Sequence, residues 1–238
     1  MTTNGIRIIF GGACFVESTV EEVDSWLNVL ERTSIKNIDT AELYGQSQFL
    51  LGKTGAPSRF TIDTKVPGGF GGDLSTAEAV FKSGKRSLEL LGADKASKYP
   101  SIFFQYRCLN VRRTDIAGGF LTRPKNALNE GRFGKDTSFG KLYNSLYNKP
   151  SLVEALDVWG KIAEDEGVER GELAYRWVAY HSKLKAKSGD GIIVGASKQQ
   201  QLMLTVEWLR KGPLTDGTAG SINALWELVN AEALIHNV

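Results

Sequence analysis

The sequence has little of several features that decide a protein's class at a glance. Its 238 residues include only two cysteines, Cys14 and Cys108, which are too few for a disulfide framework and suit a reducing cytoplasm. No apolar run approaches the length of a membrane span, and residues 1–5 lack the charged and apolar regions of a secretory signal. The net charge is only +2, with both signs interspersed. We therefore expect a cytoplasmic protein without nucleic-acid or membrane partners.

The remaining composition is typical of a globular protein, with 42% hydrophobic and 24% charged residues. The length suits one large domain, although a complete (β/α)₈ barrel takes about 250 residues. No repeat, low-complexity tract or break in composition marks a boundary. Residues 1–238 are therefore predicted to form a single domain.

Short runs rich in β-branched residues alternate along the chain with segments of helical periodicity. The predicted strands cover 6–10, 35–40, 60–66, 101–106 and 191–195. The predicted helices cover 21–31, 46–51, 75–91, 151–166, 171–185 and 198–209, the third opened by a capping box at 75–78. This alternation predicts a parallel α/β fold whose strands all end at one edge.

Three chemically active side chains follow two of these strands. Asp39 and Lys65 lie at carboxyl ends of strands, where ligands bind in such folds, and Tyr44 lies in the loop just beyond Asp39. A phenol is a weak acid unless a nearby ammonium favours its phenolate, and Lys65 can supply that charge while Asp39 anchors the lysine. Tyr44 could then give a proton to a carbonyl oxygen, and for that role we expect its hydroxyl within hydrogen-bonding reach of Lys65. A strand-end salt bridge beside an ordinary loop tyrosine explains the same spacing.

The motif Asp39-Thr40-Ala41-x-x-Tyr44-Gly45, followed by Thr64-Lys65, resembles the aldo-keto reductase superfamily. Residues 174–177, 180–182, 189–197 and 212–214 are similar to its aflatoxin-aldehyde-reductase branch. The resemblance implies a TIM barrel that uses NADP(H) to reduce aldehydes or ketones with an Asp, Tyr, Lys and His tetrad. Asp39, Tyr44 and Lys65 match three members of that tetrad, so the resemblance implies that Tyr44 is the proton donor.

The resemblance also implies a set of cofactor-binding residues. Ser197 and Lys198 start a helix, where backbone N–H groups favour a phosphate, although a plain N-cap and a solvated lysine are the simpler alternatives. Thr205 stands where the family usually has asparagine. The full predicted set is Gln105, Ala117, Gly118, Gly119, Leu121, Ser197, Lys198 and Gln201. We expect the last three to line one rim of the cofactor cleft, with Gly118, Gly119 and Leu121 across it.

The fourth member of the tetrad, a histidine, has no counterpart at its expected place. The chain holds only His181 and His236, both far downstream of Lys65. His181 lies within a predicted helix, in a stretch that the family shares for structural reasons, so we expect a structural role for it. Lys65 and Gln105 lie 40 residues apart by their sequence numbers, where three units of a TIM barrel need roughly 93. The expected fold is therefore a partial or distorted TIM barrel lacking about two to three units. Its open sheet edges suggest a homo-oligomer.

Two further groups leave alternatives open. Asp63 should point to the same side as Lys65, where it either competes with Asp39 for the lysine or forms a local ion pair. Arg107, Arg112 and Arg113 lie where the chain is shortened; they could bind an acidic substrate or a phosphate, but are interpreted as a solvated positive loop. Three interpretations of the whole chain remain: a carbonyl reductase with a reduced tetrad, a pseudoenzyme that binds dinucleotide or a protein partner, and a shortened gene product without independent function.

Overall fold

The structure, a computed structural model, describes part of the chain in detail. The described residues are 1–66, 76–92, 102–104, 111–113, 117–128, 133 and 138–233, and for 102–104, 111–113 and 138–139 the backbone alone is described. Gln105, Arg107, Cys108 and His236 lie outside these ranges. The chain divides into two compact units, one of residues 1–113 with 185–206 and the other of residues 114–184 with 207–238. The single domain expected from the sequence stays a prediction.

The first unit contains six strands and four helices within its described residues. Its strands are β1 (Arg7–Gly11), β2 (Asn37–Asp39), β3 (Thr61–Thr64), β4 (Ile102–Phe104), β5 (Val111–Arg113) and β6 (Gly191–Val194). Its helices are α1 (Val20–Arg32), α2 (Ser47–Lys53), α3 (Ala77–Leu90) and most of α7 (Gln199–Arg210). The six strands form one sheet in the order β4-β3-β2-β1-β6-β5, and every pair is parallel.

This sheet confirms the α/β fold predicted from the sequence, with the carboxyl ends of all strands together. A closed TIM barrel has eight strands, so the fold is a partial barrel. β5 was missed, because residues 111–113 were interpreted as part of a charged loop. Their backbone instead pairs with β6, with Arg112 opposite Ile192.

The two faces of the sheet differ because side chains alternate along each strand. Phe10, Ile38 and Ile62 are fully buried on the face covered by helices. The Phe10 ring lies 5.0 Å from the ring of Trp26 in α1. The opposite face carries Asp39 and Asp63, which are register partners on β2 and β3. Apolar packing against helices therefore holds one face, and the other carries charge, at Asp39 and Asp63, beside apolar side chains such as Ile9.

Helix boundaries follow the capping side chains. In α3 the N-cap is Thr76, whose hydroxyl accepts the Ala79 N–H, so the predicted capping box at 75–78 starts one residue too early. The helix predicted at 171–185 ends at His181 and not at residue 185. Ser182 takes an extended backbone there, and its hydroxyl accepts the Leu184 N–H.

The second unit is helical within its described residues. It contains α4 (Ser138–Tyr147), α5 (Pro150–Glu166), α6 (Arg170–His181) and α8 (Asp216–Val229). Trp159 and Ala163 of α5 pack with Leu173 of α6 and Ile222 of α8 in one apolar cluster. The sequence analysis did not predict α4 or α8.

Candidate functional site

A short ion pair joins the ends of β2 and β3. The Lys65 Nζ lies 2.5 Å from Asp39 Oδ1 and donates a second hydrogen bond of 2.9 Å to the Thr40 carbonyl oxygen. The Asp39 side chain is only 5% exposed, whereas that of Lys65 is 32% exposed. The lysine therefore reaches across to the neighbouring strand while part of its surface remains open to solvent. This is the pairing predicted for Asp39 and Lys65 from the sequence.

Tyr44 lies beside this pair in the loop after β2. The Lys65 Nζ is 5.5 Å from the centre of the Tyr44 ring, within the range of a cation–π interaction. The loop turns at Gly45, whose φ of +54° and close approach to Val16 leave no room for a side chain. The sequence also predicted a hydrogen bond between the Tyr44 hydroxyl and the lysine, and that contact stays a prediction.

Buried polar contacts hold these strand ends from the helix-covered side. Ser47 of α2 hydrogen-bonds the Thr40 hydroxyl at 2.8 Å and the Gly12 carbonyl oxygen at 3.1 Å. The Gln48 amide of the same helix donates to Thr64 at 2.6 Å and to Ser87 at 2.9 Å. Sequence reasoning missed both α2 residues. Their signal was two successive polar side chains at the start of a helix that is otherwise apolar toward the sheet.

Asp63 is a second carboxyl on the charged face. Asp63 is 8% exposed, and its carboxyl forms no hydrogen bond or ion pair with the described residues, so the local ion pair considered for it is not formed there. Burial raises the pKa of Asp63 above its ordinary value, and the negative charge of Asp39 adds to the rise. The positive charges of Arg7 and Lys65 oppose the rise without cancelling it. Asp63 therefore holds its proton to a higher pH than an ordinary aspartate.

The start of α7 gathers hydrogen-bond donors around one side-chain oxygen. Gln201 Oε1 accepts the backbone N–H of Ser197 at 3.2 Å, the Ser197 hydroxyl at 3.1 Å and the Lys198 N–H at 3.2 Å. All three side chains are exposed. Thr205, which replaces the expected asparagine, is buried and donates to the Gln201 carbonyl oxygen at 2.8 Å. Ser197, Lys198 and Gln201 thus come together as predicted. The hydrogen-bond donors of Ser197 and Lys198 are occupied by the side-chain oxygen of Gln201.

The predicted cofactor residues 117–121 lie in the second unit. Gly118 and Gly119 have φ values of +66° and +98°, and a Cβ on Gly118 would lie 2.5 Å from the Tyr143 ring. Leu121 lines an apolar cavity of about 590 Å³ between α5, α6 and α8. The predicted position of this loop across a cleft from Lys198 stays a prediction.

Three of the four motifs that resemble the aflatoxin-aldehyde-reductase branch, 174–177, 180–182 and 212–214, meet in a hydrogen-bonded cluster of the second unit. Arg176 donates to the carbonyl oxygens of Gly212 at 2.9 Å and Pro213 at 2.7 Å, and to Glu172 at 2.8 Å. His181 Nε2 accepts the Leu214 N–H at 3.1 Å. His181 therefore holds a loop, which is the structural role expected for it.

Comparisons with known proteins give the same family for most of the chain. The model of the aldo/keto reductase family matches residues 7–99 and 111–227. The oxidoreductase sirO of Leptosphaeria maculans is 28% identical and covers 93% of this chain and 91% of its own length. That alignment runs over 299 residues, more than the 238 of this chain. The relative therefore has segments without a counterpart here, as expected for an internally shortened chain.

Other relatives match about half of the chain. An aldo-keto reductase of Pseudocercospora fijiensis is 32% identical over 48% of the chain and 40% of its own length. Human aflatoxin B1 aldehyde reductase member 2 is 36% identical over 49% of the chain and 35% of its own length. A crystal structure of an aldo/keto reductase from Brucella melitensis superposes with a TM-score of 0.49 at 15% identity, covering 92% of each chain.

The described helices include none that is long and apolar enough to cross a membrane. The paired lysine and aspartate lie at the carboxyl edge of a parallel sheet, with a tyrosine ring beside the lysine. The family model spans nearly the whole length of the chain around these three residues. This chain belongs to the aldo/keto reductase family, a family of oxidoreductases.

Proposed function

We propose that the protein reduces an aldehyde or ketone to an alcohol with NADPH, using Tyr44 as the proton donor. The observation that carries the proposal is the Lys65–Asp39 pair, with its ammonium 5.5 Å from the Tyr44 ring centre. A positive charge at that distance favours the phenolate that remains after proton transfer. Such a pair at the carboxyl end of parallel strands also lies where ligands bind in this architecture.

Each residue of the trio has a separate task. Asp39 and the Thr40 carbonyl oxygen hold the Lys65 ammonium in one position. Lys65 in turn lowers the energy of the ionised Tyr44 hydroxyl, so that Tyr44 can protonate the carbonyl oxygen of the substrate. The cofactor would supply the hydride that adds to the carbonyl carbon.

The donors at the start of α7 fit the phosphate end of such a cofactor. The carboxamide oxygen of Gln201 accepts three hydrogen bonds from Ser197 and Lys198, and a phosphate oxygen could accept the same donors. The positive end of the helix and the Lys198 ammonium would add favourable charge. The extra phosphate of NADPH is therefore the group we assign to this position.

The missing histidine favours a second candidate function. His181 is engaged with the Leu214 N–H, and within the described residues no other histidine is available to orient a carbonyl. A protein that binds the dinucleotide without turnover would also keep the Lys65–Asp39 pair and the donors of α7. Binding without catalysis is the outcome that separates the two candidates.

Replacing Tyr44 by phenylalanine tests the reductase proposal. General acid catalysis contributes about 10² to 10⁴ in rate, so carbonyl-dependent NADPH oxidation should fall by that factor while cofactor affinity stays unchanged. Tyr147→Phe is the matched control, because that tyrosine stacks on Phe120 through its ring, which phenylalanine keeps. Equal activity of Tyr44→Phe and the unmodified protein would remove Tyr44 from the mechanism. Cofactor binding without any turnover would favour the pseudoenzyme.

Replacing Lys198 by alanine tests the cofactor assignment. A hydrogen bond to a charged group contributes about 1.5 kcal/mol, so NADPH affinity should fall about tenfold while NADH affinity stays the same. Fluorescence titration with both dinucleotides measures the two affinities. Lys187→Ala, at another exposed lysine of the same unit, is the control and should change neither value. An unmodified protein that binds both cofactors equally would contradict the assignment.

We further propose that the protein is cytoplasmic and self-associates through the ends of its sheet. β4 and β5 are the outer strands of the six, and an uncovered edge strand favours pairing with another chain. Light scattering at several concentrations tests the association. A constant monomer mass would exclude it.

A further inference from the structure

We propose that Asp63 is a positioning residue whose proton decides how Lys65 is shared between Asp39 and itself, and thereby sets the acidity of Tyr44. The inference rests on the proposed function of the same site and adds a residue to it. Asp63 acts through Lys65, and no contact of its own with the substrate is required.

Strand register brings the two carboxyls together. Asp39 and Asp63 are Cα partners in the parallel pair of β2 and β3, so their side chains leave the same face of adjacent strands about 4.8 Å apart. Lys65 follows two residues after Asp63 and therefore shares that face. One ammonium is thus within reach of two buried carboxyls.

The present hydrogen bonds are unequal. Lys65 donates to Asp39 and to the Thr40 carbonyl oxygen, both on β2. The Asp63 carboxyl, two residues before Lys65, has no hydrogen-bond or ion-pair partner among the described residues, although Asp63 is only 8% exposed. A buried carboxylate without a partner is costly, whereas a neutral carboxylic acid is far less so.

Among the described residues, three charges face Asp63. They are Asp39 on β2, Lys65 at the end of β3, and Arg7 on β1. Arg7 also donates through Nε to the Gly189 carbonyl oxygen at 3.1 Å. On the other side, β4 presents Phe103 as the register partner of Asp63, and Ile102–Phe104 contains no charged residue. Burial is the largest cause of the raised pKa of Asp63, followed by the charge of Asp39.

The two protonation states of Asp63 have different consequences for Lys65. While Asp63 is neutral, Asp39 is the only anion of the pair, and the ammonium stays on β2 near the Tyr44 ring. When Asp63 loses its proton, it attracts the same ammonium, and Lys65 is divided between two carboxylates. A lysine drawn back toward β3 stabilises the Tyr44 phenolate less, so proton donation by Tyr44 weakens.

A titration that needs no catalysis tests the inference first. Carbon NMR of protein labelled in aspartate and lysine would follow the Asp63 carboxyl and the Lys65 Cε, with Asp63→Asn and Lys65→Arg to assign the signals. We expect the Asp63 midpoint to lie above the ordinary value of about 3.9. The Lys65 signal should shift with the same midpoint, and that shift should vanish in Asp63→Asn. A Lys65 signal that ignores the titration of Asp63 would overturn the proposal.

A comparison of pH profiles tests its consequence for the reaction. In the unmodified protein kcat/KM should fall as pH rises through the Asp63 midpoint. Asp63→Asn, which imitates the neutral acid, should keep the low-pH rate across that range. A merely structural Asp63 would change the rate of the variant by the same factor at every pH, which would also overturn the proposal.

Failure of the proposed reductase function and failure of the Asp63 inference are distinguishable. Absence of turnover at every pH would remove the proposed reductase function, while the coupled signals of Asp63 and Lys65 would still support or refute the sharing of the lysine. If Asp63→Asn fails to fold, the coupling of the two midpoints in the unmodified protein decides the question.

Discussion

Glu172 and Asp63 are both buried carboxyls, yet their surroundings differ completely. Glu172 is bound by Arg176 at 2.8 Å and by Lys211 at 2.9 Å, and its side chain is 3% exposed. The carboxyl of Asp63, in the other unit, has no hydrogen-bond or ion-pair partner among the described residues. A buried charge with a full set of partners holds structure, whereas a buried acid without partners is free to exchange a proton. The difference separates a structural cluster from a candidate chemical one.

Breaking the complete cluster should have the largest effect on stability. Arg176→Met leaves Glu172 with one cation and removes the donor to Gly212 and Pro213. Removing one partner of a buried pair costs about 3 to 5 kcal/mol, so urea unfolding should show a loss of that size. A loss below about 1 kcal/mol would mean that the cluster contributes little to stability.

An intermediate case is Glu166, whose carboxylate is bound by hydroxyl groups and not by a paired cation. Burial raises its pKa, but hydrogen bonds from Thr218 and Thr215 outweigh burial and leave the pKa below its ordinary value. This stabilisation is therefore present above the unfolded-state pKa of about 4.3 and is lost as pH falls through the lower folded-state value. Glu166→Gln should cost about 1 kcal/mol at neutral pH.

Unfolding curves at neutral and acidic pH measure this prediction. The difference between Glu166→Gln and the unmodified protein should shrink as the pH falls below about 4, because the unmodified carboxyl then becomes neutral as well. A difference that stays constant with pH would assign the effect to packing and not to charge.

The smallest effect on stability is expected for an ion pair that has the same sequence spacing as the Glu172–Arg176 pair but is exposed to solvent. Lys161 and Asp165 lie four residues apart on α5, as Glu172 and Arg176 do on α6, but their side chains are 67% and 64% exposed. Solvent screens such a pair, so Lys161→Ala should leave the unfolding midpoint within experimental error. A clear loss of stability in this variant would show that sequence spacing, and not burial, determines how much these ion pairs contribute to folding stability.

The sequence predicted the parts of the fold that depend on periodicity. Five of the six strands were found, since each is an apolar or β-branched run, and the pairing of Asp39 with Lys65 followed from strand ends meeting at one edge. β5 was missed because Val111 is followed by two arginines, which hide a strand from any hydropathy argument. Backbone pairing with β6 and not side-chain polarity makes it a strand.

The hydrogen-bond partners of buried side chains were the second feature that the sequence did not predict. Periodicity shows that a position is buried, but it does not show which groups complete its hydrogen bonds. The hydrogen bonds of Gln48 to Thr64 and Ser87 could be found only once the helices were placed. The same holds for the hydrogen bonds that Gln201 accepts from Ser197 and Lys198. The family resemblance supplied the importance of Gln201, and the geometry supplied the contact.

The position of β1 has a consequence for how the chain folds as it is synthesised. β1 lies inside the sheet between β2 and β6, and Arg7 bonds to Gly189 across a separation of 182 residues. Contacts so distant in sequence form slowly, because a long loop must close first. Until β6 emerges from the ribosome, one edge of β1 remains unpaired and exposed to other strands. A newly made chain therefore depends on residues 191–194 to cover that edge of β1.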